Sequence, residues 1–93
     1  MKAIWNKQII AESDKTVFLE NNYYFPPQSV NMALFQKTDN QYTCPWKGLC
    51  DYYSITAGGT TNPDGAWMYA QPSKRAEHVK GYFAFWHGVE ITK

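Results

Sequence analysis

Ninety-three residues carrying nine basic and eight acidic side chains, a formal charge of +1, can bury one hydrophobic core and not two. The signs are interspersed without a block of like charge, which disfavours nucleic-acid binding, and no apolar run reaches the roughly 18 residues that mark a membrane span. Leucine stands only at positions 19, 34 and 49 while aromatics make up 17% of the chain, so flat stiff rings carry the burial and a mainly β fold is expected.

From the N-terminus, Ala3-Ile4-Trp5 and Gln8 to Ala11 are β-prone runs separated by the dipeptide Asn6-Lys7, the spacing of a tight hairpin. Met1 to Asn6 turns polar too early for a signal sequence, so a soluble cytoplasmic protein without membrane association is expected. Glu12 to Lys15 reads as a turn and Thr16 to Glu20 as a third strand that Asn21-Asn22 ends. Tyr23 to Pro27 is extended, because each proline disfavours the α region for the residue before it, and reads as an irregular edge. Gln28 to Met32 permits a turn or two of helix with proline at its first position. Ala33 to Gln36 either extends it or starts a strand, and the strand is favoured. Lys37 to Asn40 reads as the next turn.

The central hairpin has arms Gln41 to Cys44 and Leu49 to Ile55. Pro45 enters its turn with φ already fixed, and Gly48 can take the positive φ that closes a three-residue loop of Trp46, Lys47 and Gly48. That loop sets Cys44 opposite Cys50 and Thr43 opposite Asp51. Ala57 to Gly65 is rich in turn formers and reads as a loop, followed by a strand of large residues, Ala66 to Ala70, that Pro72 stops. Ser73 can cap a short helix over Lys74 to Val79, with Gly81 ending it. Tyr82 to Trp86 has no polar face, so it is covered on both sides or lines a cavity. His87-Gly88 turns the chain and Val89 to Ile91 closes the sheet, which makes a single domain over residues 1–93 with about eight short strands and two short helical turns.

Tyr24-Phe25-Pro26, Thr43-Cys44-Pro45-Trp46-Lys47-Gly48, Tyr52-Tyr53, Ala66-Trp67-x-Tyr69 and Gly81-x-x-Ala84-Phe85 follow one another in this order. In that order they resemble the bacterial family named domain of unknown function 427, over nearly the whole length. The resemblance implies a small β-tent-like fold, two sheets meeting at an angle, and the family has also carried a nucleotidyltransferase-like label. Cys50 departs from the family, where a small residue such as alanine is more usual, so the resemblance implies no redox role for the cysteine pair.

Nucleotidyl transfer takes paired carboxylates to hold Mg²⁺, yet Asp14, Asp39, Asp51 and Asp64 are each isolated. Two cysteines with His78 and His87 do not make the paired knuckles of a structural zinc site, so neither a metal nor a cofactor is expected. The candidate catalytic residues are Cys44, which would need a lowered pKa and a base, and Asp51, a carboxylate inside an apolar strand. Against each stands a plainer reading, a buried strand cysteine and a carboxylate hydrogen-bonded within the fold. The rings of Phe25, Trp46, Tyr53, Trp67, Tyr69 and Trp86 exceed what a small core consumes. Trp46, Tyr53, Trp67 and Tyr69 are therefore expected to line a pocket with Lys47 and Asp51 at its polar rim, taking a small molecule or a modified residue. The alternatives are a hydrolase or transferase using Cys44 or Asp51, and a protein-interaction module that presents the Tyr23 to Pro27 edge to a protein partner or a second copy.

Overall fold

A computed structural model describes residues Met1–Lys93. Asn6 and Lys7 take φ values of 51° and 64°, the left-handed pair that a two-residue hairpin turn between right-twisted strands demands. They join β1 (Lys2–Trp5) to β2 (Gln8–Glu12). The same device recurs at Glu20 and Asn21, φ 50° and 66°, between β3 (Val17–Leu19) and β4 (Asn22–Tyr24). Asn22, expected to end the third strand, instead begins the fourth, and the edge expected to be irregular from Tyr23 starts as half of a ribbon. Pro27–Ser29 and Met32–Leu34 form single 3-10 turns before β5 (Phe35–Cys44).

β5 pairs with β6 (Gly48–Ala57), β6 with β7 (Thr60–Met68), and β7 with β8 (Phe83–Phe85), giving a four-stranded antiparallel sheet. β9 (Glu90–Thr92) returns to the free edge of β1, completing a three-stranded sheet in the order β2-β1-β9. The β3–β4 ribbon extends the larger sheet, because Phe25 and Phe83 exchange backbone hydrogen bonds of 2.7 and 2.9 Å at the edge of β8. The fold is thus mainly β, with the helical segments all 3-10.

Two segments expected to be loops are strand. Gly58 and Gly59, φ 60° and 79°, suffice to turn the chain, so Thr60 to Gly65 pairs as β7, and Lys37 to Asn40 runs inside β5. Their turn-forming residues serve bulges instead, residues 38–40 opposite Tyr52 and residues 63–65 opposite Ser54. The Asp64 carboxylate spans both, accepting from Thr38 Oγ1 at 2.7 Å and Asn40 Nδ2 at 2.6 Å.

The central turn is one residue earlier than its sequence indicates. Pro45, Trp46 and Lys47 form the loop, and Gly48, φ 105°, already pairs with Cys44. Cys44 therefore faces Gly48 and not Cys50, while Thr43 faces Leu49 and not Asp51. The two cysteines stay on one face as diagonal neighbours, both as free thiols.

Alternation then sorts the residues of the larger sheet. Phe35, Ile55, Phe83 and Phe85 meet Ala3, Ile10 and Ala11 of the smaller sheet in one core cluster. Cys44, Cys50, Tyr69 and Ala84 pack with Tyr24 on the other side, joined by Ala76 and Val79. Those last two lie three apart on the 3-10 segment Lys74–Val79, whose three-residue turn puts both on one side. Ser73 precedes that segment but does not cap it; its hydroxyl donates to the Trp46 carbonyl at 2.6 Å and fastens the segment to the hairpin loop.

Ile55 is 0% exposed, so Ile55→Ala should cost about 2–5 kcal/mol in urea unfolding. Leu49, 46% exposed on the same strand, should change stability by no more than about 0.5 kcal/mol as Leu49→Ala. Equal costs would contradict the change along β6 from an exposed Leu49 beside the hairpin loop to an Ile55 enclosed in the core.

Candidate functional site

The second face of the larger sheet is concave and lined with rings. Tyr52 on β6 stands directly opposite Trp67 on β7, and Trp67 opposite Ala84 on β8. Trp86, two residues past Ala84, turns to the same side; its ring lies parallel to that of Tyr52 at 5.8 Å and edge-on to Trp67 at 5.2 Å. Tyr24 of β4 closes one wall, where its hydroxyl accepts from Trp67 Nε1 at 3.3 Å. Tyr42, Cys50 and Tyr69 bound the remaining sides of a hollow of about 280 Å³, with Asn22 and Lys47 as its polar lining.

Lys47 is the one formally charged residue in that lining, and it is 6% exposed. A buried ammonium needs a partner. Its Nζ donates to Glu20 Oε1, and the other carboxylate oxygen accepts from Trp46 Nε1 at 3.1 Å. The Nζ also lies 5.1 Å from the Trp46 ring centre and 5.6 Å from that of Tyr69, within cation–π range of both. Burial pushes the Lys47 ammonium below its ordinary range. The adjoining carboxylate pulls the other way by favouring the charged form.

Three phenols of the hollow, those of Tyr24, Tyr52 and Tyr69, remain neutral well into alkali. Burial raises Tyr69 far above the ordinary tyrosine value and raises Tyr24 and Tyr52 in the same direction. Burial likewise raises the Cys50 thiol, which leaves it a weak nucleophile at neutral pH.

The six residues expected to share a site divide between two faces of the sheet. Lys47, Trp67 and Tyr69 line the hollow. Trp46 sits behind Lys47, with the Arg75 guanidinium 5.5 Å from its ring centre. Asp51 and Tyr53 point the opposite way. Asp51 accepts from Gln41 Nε2 at 2.8 Å and lies 3.9 Å from Lys37 Nζ, and Tyr53 packs edge-on to Phe83 at 5.0 Å. The physical reason is parity, since Tyr52, and not Tyr53, is the cross-strand partner of Trp67. Of the candidate catalytic pair, Cys44 is buried beside the hollow and Asp51 is on the far face.

Sequence reasoning did not single out Glu20, Tyr24, Tyr42, Cys50 or Tyr52 as site residues. The available signal was the run Phe83-Ala84-Phe85-Trp86. Two phenylalanines on one side of it consign Ala84 and Trp86 to the other, and strand pairing carries that side through Trp67 to Tyr52. No group of three or more His, Cys, Asp or Glu side chains is arranged to hold a metal ion. Asp14 and Asp39 are exposed, while Asp64 is committed to the bulges.

The family model described as a domain of unknown function (DUF427) matches residues 1–92, and the chain belongs to that family. No curated protein matches it. No helix is long and apolar enough to cross a membrane.

The buried phenols make alkaline stability a readout of this face. In the unfolded chain they ionise near pH 10, whereas in the fold Tyr24 and Tyr69 hold their protons. The folded state then binds more protons, so stability falls as pH rises past about 10, by up to about 1.4 kcal/mol per pH unit for each phenol. Urea unfolding between pH 9 and 11 should show a shallower decline in Tyr69→Phe than in the parent. Parallel declines would mean that Tyr69 ionises freely in the folded state.

Proposed function

We propose that this DUF427 protein is a binding domain for a small flat molecule, held in the hollow between Tyr42, Tyr52, Trp67 and Trp86. The observation that carries the reading is a concave aromatic face with one buried charged group and few other polar atoms, the usual make-up of a small-molecule site. Large rings provide contact area with few rotatable bonds to immobilise, and the neutral phenols and the Asn22 amide can orient a polar edge.

The lining narrows the class. A methylated ammonium would have to share the cage with the Lys47 ammonium, which already occupies ring faces of Trp46 and Tyr69. A planar, uncharged or acceptor-bearing ligand meets no such repulsion, so a small molecule is favoured over a modified cationic residue. A hydrolase or transferase working through Cys44 or Asp51 has less support, because the Asp51 carboxylate is engaged by Gln41 and Lys37 on the other face and no histidine borders the hollow. A protein-docking role for Tyr23 to Pro27 competes with the pairing of that segment to β3 and β8.

Titration with a panel of planar aromatic compounds, followed by tryptophan fluorescence, tests the reading. Tyr42 is 55% exposed at the rim, so Tyr42→Ala should weaken the best binder about tenfold, roughly 1.4 kcal/mol, at little cost in stability. Asp51→Asn, outside the hollow, should leave affinity unchanged. A panel that never perturbs the fluorescence, or a binder indifferent to Tyr42→Ala, would remove the hollow as the site.

A further inference from the structure

We propose that Lys47 captures planar aromatic aldehydes as a protonated imine, with Glu20 as its counter-ion. The inference rests on the hollow being a binding site for flat molecules and adds the covalent chemistry of its one amine. Lys47 is set apart from the other seven lysines by lining the aromatic hollow. Its Nζ touches a carboxylate that can take its proton and return it, and Glu20 is itself 47% exposed, which keeps that carboxylate in exchange with solvent. The ring faces of Trp46 and Tyr69 that flank the ammonium would flank an iminium in the same place. Burial of the ammonium adds to this, since removal from water favours the neutral, nucleophilic amine.

The steps balance. The ammonium passes one proton to Glu20, and the free amine attacks the carbonyl carbon, forming the C–N bond. A second proton moves from nitrogen to the carbonyl oxygen, giving a carbinolamine. Glu20 returns its proton to that hydroxyl, the C–O bond breaks and water leaves. The nitrogen keeps its last proton as an iminium beside a restored carboxylate. No oxidant or reductant is involved.

The test uses the whole chain with 4-hydroxybenzaldehyde at neutral pH and cyanoborohydride, which reduces an iminium to a stable secondary amine. Peptide mapping should place the adduct on Lys47 at least about tenfold ahead of any other lysine, the advantage that proximity in a site confers. Lys47→Arg should abolish that preference while leaving slow labelling of the exposed lysines. In Glu20→Gln the imine absorbance should move to shorter wavelength, as expected when an iminium without its counter-ion gives up its proton. 4-Hydroxybenzyl alcohol, the same ring without the carbonyl, separates the two readings. Fluorescence quenching by the alcohol with labelling spread evenly over all eight lysines overturns imine capture and leaves the hollow standing. Absence of both overturns both.

Discussion

β6 buries side chains on both of its faces, Cys50 on one and Ile55 and Ala57 on the other, and that constraint fixes the strands around it. Its odd-numbered residues Tyr53, Ile55 and Ala57 turn away from the hollow, and Ile55 stands in the cluster shared with the smaller sheet; its even-numbered Cys50 and Tyr52 help to line the hollow. A slip of one residue would exchange the two sets, so neither neighbouring strand can drift. The bulges on its two sides respect this. Between Lys37↔Tyr53 and Gln41↔Asp51, β5 advances four residues while β6 advances two. Between Tyr53↔Ala66 and Ile55↔Asn62, β7 likewise advances four against two. Each bulge therefore inserts an even number of residues, so the inward and outward faces survive it. Asp64 accepts from the opposite bulge and its backbone N–H donates to Ser54, so one residue ties all three strands together.

An aromatic fraction of 17% in a chain this small brings its own difficulty, since indole and phenol groups must not be stranded away from water. The fold answers it locally. Trp46 donates to Glu20, Trp67 to Tyr24 and Trp86 to the Asp64 carbonyl, and no buried side-chain nitrogen or oxygen is left without a partner. Because those partners lie on β4, the ribbon turn and the β7 bulge, the same bonds that satisfy the rings also assemble the walls of the hollow. Packing and site construction are one event on this face.

The sequence discloses elements whose cause is local and hides those whose cause is not. Asn6-Lys7 as a hairpin turn and Lys74 to Val79 as a helical segment follow from nearby residue types, as does the mainly β class from composition. Thr60 to Gly65 reads as loop because threonine, asparagine, proline and aspartate are turn formers, yet their use here depends on Ser54, Thr38 and Asn40, which are distant in the chain. Pro63 is tolerated in β7 only because it falls in the bulge. The division of the expected site has the same origin. Moving the three-residue loop from 46–48 to 45–47 shifts each cross-strand partner by two residues, so it changes the register of the hairpin and not its faces. What divides the site is the choice between Tyr52 and Tyr53 as the neighbour of Trp67, and that rests on pairing with β7, which no local signal in β6 records.

Lys47 is the residue that packing explains least. An ion pair that buries one of its charges is often no more stabilising than apolar residues of similar volume, because desolvation of that charge offsets the attraction. The space bounded by Trp46, Tyr69 and Cys50 would accept a methionine on those grounds. Instead the fold holds an ammonium there and brings Glu20 to it from another element, through a turn in which Glu20 itself takes a φ of 50°, a conformation that non-glycine side chains adopt at a cost. The pair also couples two parts of the site. Glu20 caps the ribbon that carries Tyr24, so whatever draws the carboxylate toward or away from Nζ also bears on one wall of the hollow. A charge placed here, and wired to the wall beside it, supports the binding role proposed for the hollow.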